Sequence, residues 1–406
     1  MSTTMPLPTH PDLMPDELPH WVQRLVDDQV PEGLLLDYKG QRYNLRRDEE
    51  KSELAKDVTS FANKQGGVIL LGIPERLDEQ GRKTKLPDPD YGTTQEPDYG
   101  PRVRDILASV VSPMLPSLRV AWVEKAADAG KGVYLIWHPE SWLSPHMVHG
   151  YGEFRYFQRD GDRSRPVPMD EQQVERLYQL RVSGEERREA FLSSDFSLGR
   201  QHPEVPHITV CLCPRMLLSR VWDFREGPLR DWITTHIFAV RRETAEWRPT
   251  SNGACSVHET RGTRVARVVQ LHTNGAISAS QGLTSPEDEP GRIYFGRIVR
   301  LLYATYRYIG DLYSALNQTY IELCVRVRLE KVGKYHLAVQ TTEQCVSPYT
   351  PTHDGPHVLD DTLMVAEIVA DIGRAVKPVL DGIWQTFNMD WQVPDEVVQA
   401  QLPGGS

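Results

Sequence analysis

The stretch "SFANKQGGVILLGIPE", residues 60–75, makes three structural statements in order. Phe61 and Ala62 complete an apolar stripe begun by Leu54 and Val58, which is the spacing of a helix over about 50–65. Gly66-Gly67 stands where glycine ends a helix. "VILLGI" is then a charge-free run of branched residues, the pattern of a buried strand, and Glu75 stands at its end.

Upstream, "EGLLLDYKG" at 32–40 reads as a second strand, about 34–39, so that strand, helix and strand form a compact α/β unit. Asp37 and Lys39 interrupt its apolar run. Side chains alternate along a strand, so both share the face of Leu35. An acid and a lysine two residues apart on a strand is a layout of metal-dependent nucleases: the carboxylate holds a divalent ion and the lysine stabilises developing charge. It is equally the layout of an ion pair at a strand edge. Hard ions such as Mg²⁺ or Mn²⁺ need several carboxylate oxygens, so the metal reading requires Glu32 and Glu75 to converge on Asp37. The glycine pair also has two readings, a helix cap or a place where backbone N–H groups meet a phosphate.

Arginines gather twice. Arg42, Arg46 and Arg47 follow the first strand with Tyr43 and Lys51, and Arg155, Arg159, Arg163 and Arg165 lie with Tyr156 in a later strand and turn. Arginine forks grip phosphates and tyrosines stack on unpaired bases. The interleaved acids Asp48, Glu49, Glu50, Glu153, Asp160 and Asp162 also allow a plain solvated surface.

The rest of the chain sets the domain plan. Residues 1–15 carry four prolines and read as a loose tail, and a short helix follows around Leu18–Val26. Residues 76–101 form a long polar loop. A helix at about 102–112, strands at 117–126 and 131–139, a strand-and-turn segment at 144–168 and a helix at 170–182 complete a first domain, 16–180. The polar stretch 181–206 reads as a linker. Beyond it, 207–400 is a second α+β domain: a strand "HITVCLCP", a β-meander turning at Asn274-Gly275, a helix around 297–316, two further strands, and one long helix over 361–387 kinked by Pro378. Cys211 and Cys213 lack the spacing of a zinc site, and His138, His146 and His149 read as surface or core residues rather than ligands.

"E…LDYKG", "SFANKQGGVILLGIPE" and "FRYFQRDGDRS" at 154–164, taken in register, resemble the Schlafen-type AlbA domain over roughly residues 20–180. The resemblance implies two kinds of function. Eukaryotic Schlafens of this type are RNases that cut transfer RNA at a three-carboxylate metal site, whereas many bacterial relatives are described as DNA-binding or ATP-binding modules. Carried over, the three acids fall on Glu32, Asp37 and Glu75, with Lys39 assisting. Asp37 replaces a Glu and Glu75 an Asp, with Pro74 just before it, so one arm is shorter and another longer than the family pattern. The Schlafen RNase core resembles two such lobes around a groove. This chain has one, and a homodimer would rebuild the groove.

With 406 residues, 39% hydrophobic and 25% charged, the composition is globular. A net charge of −10 excludes a global basic footprint for nucleic acid but leaves room for a local one. No apolar run reaches the length of a membrane span. The N-terminus lacks a signal-peptide pattern, and five scattered cysteines fit reduced thiols, so the expected location is the cytoplasm. The leading expectation is a Mg²⁺- or Mn²⁺-dependent endoribonuclease acting on structured RNA such as tRNA, by analogy a bacterial defence or stress effector, with the second domain as a sensor or dimerisation unit. The alternative is a non-catalytic module that binds nucleic acid or ATP, with Gly66 and Gly67 at the phosphates. A third is a structural subunit of a larger assembly.

Overall fold

The computed structural model describes residues 17–115, 117–125, 128, 130–160, 163–194, 205–215, 222, 224, 228–236, 238–240, 243–244, 247–250, 253–259, 266–285, 288–316, 318–319, 321–339, 345–347, 350–351, 355–389 and 392–402. The tail expected at 1–15 lies outside them. The chain is a mixed α+β protein that divides into two compact units, Met1–Ser183 and Gly184–Ser406.

The first unit opens with α1 (Leu18–Asp27), whose buried side Leu18, Trp21, Val22, Leu25 and Val26 follows helical spacing. Then come β1 (Leu36–Lys39), α2 (Asp48–Ala62), β2 (Gly66–Leu71), the hairpin β3 (Glu75–Leu77) and β4 (Lys83–Pro87), β5 (Thr93–Thr94) and α3 (Tyr99–Val110). β6 (Val111–Ser112), β7 (Arg119–Glu124), β8 (Lys131–Pro139), β9 (Met147–Val148), β10 (Arg155–Asp160) and β11 (Arg163–Pro168) follow, and α4 (Glu171–Ser193) begins in this unit and runs past its end at Ser183. β1 pairs parallel to β2, with Asp37 opposite Ile69 and Lys39 opposite Leu71. β2 runs antiparallel to β8, and β7 and β5 also pair with β8. A second sheet runs β11-β10-β9-β6. Leu54, Val58 and Phe61 of α2 join Ile69 and Leu71 of β2, Val103 and Leu107 of α3 and Phe157 of β10 in one core.

Three expectations change here. Gly66 and Gly67 belong to β2 rather than to the end of α2, which stops at Ala62. Gly67 is required by packing, because a Cβ would stand 2.2 Å from the Phe61 ring. Gly66 has φ +75°, and a Cβ there would meet the backbone of Pro139 and Glu140 at 2.6 Å. The polar loop 76–101 contains the β3–β4 hairpin, β5 and the start of α3. The helix expected at 170–182 continues to Ser193, through the first half of the stretch read as a linker.

The second unit is built on a seven-stranded antiparallel sheet. Its order is Arg248–Thr250, Gly253–Glu259, Ala266–His272, Ile277–Gly282, His207–Pro214, Glu322–Glu330 and His357–Met364. The turn at Asn274-Gly275 forms as expected, with Gly275 at φ +90°. The helix Phe295–Ala315 buries Ile298, Leu302, Tyr306 and Ile309 against this sheet's core. The long helix expected over 361–387 is instead a strand to Met364, a short helix Val365–Ala370 and a helix Ile372–Thr386. The break is at Asp371, not Pro378: Asp371 is extended (φ −158°, ψ 98°), and its carboxylate accepts from the Arg374 N–H to cap the restarted helix.

Candidate functional site

β1 decides the geometry of the first unit's polar centre. Leu36 and Tyr38 point to one face of the sheet, Asp37 and Lys39 to the other, where α2 packs. Asp37 is 1% exposed. Its Oδ2 accepts from Arg159 Nη2 of β10 at 2.7 Å and meets Lys39 Nζ at 2.9 Å. Lys39 Nζ also stands 3.3 Å from Asp57 Oδ2 of α2, to which the Tyr43 hydroxyl donates at 2.5 Å. Arg159 is wholly buried, its guanidinium 4.2 Å from the Phe61 ring centroid. Two acids and two bases thus close a network, buried at Asp37, Asp57 and Arg159 and about a third exposed at Lys39 (32%), with Tyr43 bonded to its far end. Burial raises the Asp57 carboxyl above its ordinary value against the pull of Lys39. Burial lowers the Lys39 ammonium, but Asp57 and Asp37 together outweigh it and raise it. Burial, then the charge of Asp57, pushes the Tyr43 phenol far up, so it stays a hydroxyl donor.

Glu32 sits at the mouth of β1. Its Oε1 accepts from the Tyr38 N–H at 2.9 Å, and its own N–H donates to Lys85 O of β4 at 2.9 Å. Burial, then the charges of Asp37 and Glu75, push its carboxyl up to about 7. The structure therefore brings Glu32 beside Asp37 and within electrostatic reach of Glu75. Glu75, at the start of β3, pairs with Lys83 across the hairpin.

These acids do not fit a divalent ion as they stand. Asp37 Oδ2 is held by two cationic groups and Glu75 faces a third. Among the described residues no group of three or more His, Cys, Asp or Glu side chains is arranged to hold a metal.

Arg159, expected to grip phosphate, is corrected by its burial: it neutralises Asp37 instead. Gly66 and Gly67, expected near a phosphate, are fully buried within β2 and crowded by Phe61, Leu35 O and the end of β8, so their role is packing. Arg46, Arg47, Arg155 and Arg165 are exposed, and Arg47 lies 3.7 Å from Glu50. The Arg163 side chain lies outside the described residues. Arg42 is half-buried beside the Tyr99 and Tyr134 rings, 5.7 and 6.0 Å from their centroids. It lines a cleft of about 640 Å³ with Gln41, Arg46, Glu96, Tyr99 and Arg102.

Sequence reasoning missed Asp57 as a member of the network, and Glu96 and Arg102 in the cleft. Asp57 carried a signal, since it lies on the α2 face that presents Leu54, Val58 and Phe61. His138 and His146 are buried, and burial pushes them down to about 3 and about 4, so both are neutral core residues. In the second unit Cys211, Cys213 and Cys324 are buried free thiols.

No described helix is long and apolar enough to cross a membrane. No curated protein matches the chain. It is similar to the N-terminal domain of a RecG-related protein from Nitrosomonas europaea, a solution NMR structure, with 20% identity and a TM-score of 0.24; the match covers 37% of this chain and 94% of that one. The family described as Schlafen, AlbA_2 matches residues 32–168, from the first acid at the mouth of β1 to the last residue of β11. Residues 32–168 are a Schlafen-type AlbA domain.

Proposed function

We propose that the first unit binds nucleic acid, RNA in preference to DNA, and holds it without cutting it. The observation that carries this reading is the closed network around Asp37. The carboxylate a nuclease would turn toward a metal is bonded instead to Arg159 and Lys39. The family match points the same way at a coarser level, since a Schlafen, AlbA_2 domain suggests nucleic-acid binding. The exposed Arg46, Arg47, Arg155 and Arg165 supply local positive charge on a chain whose net charge is −10. Phosphate contacts of this kind release counterions, so the affinity falls linearly in log–log form with salt. Fluorescence anisotropy with an RNA hairpin and the matching DNA, in EDTA, tests the reading. Binding without divalent ion, weakened by Arg46→Glu and Arg155→Glu, is the expected result. Absence of binding to either strand type sinks it.

A second reading, metal-dependent cleavage of structured RNA such as tRNA by Glu32, Asp37, Glu75 and Lys39, has one observation in its favour. Asp37 and Glu75 both act on Glu32 to raise its carboxyl, so three acids share one neighbourhood. Strand scission in millimolar Mn²⁺ that Asp37→Ala abolishes is what this reading requires. A two-fold homodimer would set two such lobes around one groove, and sedimentation of the full chain tests it. ATP as a ligand rests on the family's description alone, and the crowding at Gly66 and Gly67 removes the expected cradle for it.

A further inference from the structure

We infer that the cleft between the β1–α2 loop and the start of α3 binds a phosphate monoester, and that Glu96 occupies the phosphate position when no ligand is present. The inference rests on the nucleic-acid reading only for where that phosphate comes from.

Glu96 is held between two arginines on different elements. Arg42 Nη1 meets its Oε2 at 2.9 Å, and Arg102 Nη1 meets its Oε1 at 2.8 Å. All three line the same 640 Å³ cleft, a volume in the range of small-ligand sites. The Arg42 fork is placed independently of Glu96, and the backbone of Arg102 is as well. Arg42 lies against the Tyr99 and Tyr134 rings, and Arg102 is fixed in the first turn of α3. The loop that carries Glu96 is latched by the Tyr134 hydroxyl, which accepts from Glu96 N–H at 2.7 Å and lies 2.8 Å from Glu96 O. Only the side chain has to swing for the position to open.

Charge then selects the ligand. One carboxylate balances one of the two guanidinium charges. A phosphodiester, also a single negative charge, gains nothing over Glu96. A phosphate monoester near neutral pH carries close to two negative charges and three terminal oxygens, enough to balance both arginines and occupy both forks. Arg46, on the rim of the same cleft, adds a third positive group. The pairs Glu96 makes are partly exposed, with side chains 24–39% accessible, and partly exposed ion pairs of this kind are weak and exchangeable. On the nucleic-acid reading the monoester is the 5′-phosphate end of a strand, and a free nucleotide presents the same group.

The test uses the full chain and three probes: a 12-nucleotide RNA with a 5′-phosphate, the same RNA with a 5′-hydroxyl, and AMP. The 5′-phosphate is expected to tighten binding about tenfold, the size of one good charge-assisted arginine contact. Glu96→Gln is expected to strengthen binding of the phosphate-bearing probes several-fold and leave the 5′-hydroxyl strand unchanged. Arg102→Ala, on a half-exposed side chain whose loss spares the fold, is expected to erase the preference. If AMP binds and neither strand does, the cleft stands, its ligand is a free nucleotide, and the nucleic-acid reading falls. If both strands bind equally, AMP does not bind, and neither Glu96→Gln nor Arg102→Ala alters any affinity, the cleft proposal is overturned while the nucleic-acid reading stands.

Discussion

Asp37→Asn separates a closed ion network from a metal site by the sign of its effect on stability. In a cluster of acids waiting for a metal, neutralising one acid relieves repulsion and stabilises the metal-free protein. Here the opposite holds. The substitution takes the Asp37 carboxylate away from Arg159, which is wholly buried, and removing one member of a buried pair costs about 3–5 kcal/mol. The opposing gain comes from Glu32, which no longer faces the Asp37 charge. The full rise of its carboxyl from 4.5 to about 7 corresponds to about 3 kcal/mol, and burial rather than Asp37 is its largest cause. The gain is thus a fraction of that figure, on the order of 1 kcal/mol, and the net expectation at pH 7 is a loss of about 2–4 kcal/mol. Hydrogen exchange of α2 and β1 peptides in the full chain reads the first unit by itself, where a global melt would mix two units. The double-mutant cycle with Arg159→Met adds the pairwise term. Removing both partners should cost about 2 kcal/mol less than the sum of the two single changes. A stabilising Asp37→Asn, or additive single effects, would refute the network and return weight to the metal reading.

The other perturbations follow the same chemistry. Glu32 binds a proton more tightly folded than unfolded, so the stability it confers is fully present below pH 4.5 and is lost as pH rises through about 7. Glu32→Gln should flatten that slope in urea titrations between pH 5 and 8, and an unchanged slope would contradict the assignment. Gly67→Ala puts a methyl 2.2 Å from the Phe61 ring and 2.9 Å from Leu35 O, and should cost at least about 3 kcal/mol while loosening Arg159, which stacks on the same ring. Asp371→Ala removes the cap of the helix Ile372–Thr386 and should cost about 1 kcal/mol in the second unit alone, measured by exchange of that helix's first turn. Arg46→Ala and Arg155→Ala should each reduce the slope of log affinity against log salt by about one if each contacts a phosphate.

Much of this architecture is written in local pattern. The pairing of β1 with β2 follows from two apolar runs joined by one amphipathic helix, and the alternation within "LDYK" places Asp37 and Lys39 together without any tertiary knowledge. The polar centre is harder to read because its members come from four separate elements. Arg159 looked like one of several surface arginines. Strand alternation held the correction, since Arg159 lies two residues from the buried Phe157 and shares its inward face. Asp57 is legible only from helical spacing, which sets it on the α2 face of Leu54, Val58 and Phe61. The error at 361–364 has another cause. "HVLDDTLM" alternates exposed and half-buried residues along a sheet edge, and this short run followed by a helix mimics the start of one longer helix.

A chain carrying the acids of a nuclease need not arrange them as one. What matters is which groups face them, and here Lys39 and Arg159 both contact Asp37 Oδ2. The expense of burying Arg159 against Asp37 is sensible if the pair fixes β10 against β1 and α2, because charge-assisted bonds demand one geometry where apolar contacts tolerate several. That rigidity has a use at the other end of β1. The loop that leaves Lys39 carries Arg42 and Arg46 into the cleft beside Glu96. Tyr43, one residue beyond Arg42, is tied to Asp57 by its hydroxyl. The buried network therefore sets the root of the cleft's arginine loop. Tyr43→Phe cuts that tie while keeping the ring, so it should weaken binding of a phosphate-bearing probe with little change in fold. Unchanged affinity together with faster exchange at Asp57 would show that the network and the cleft act independently.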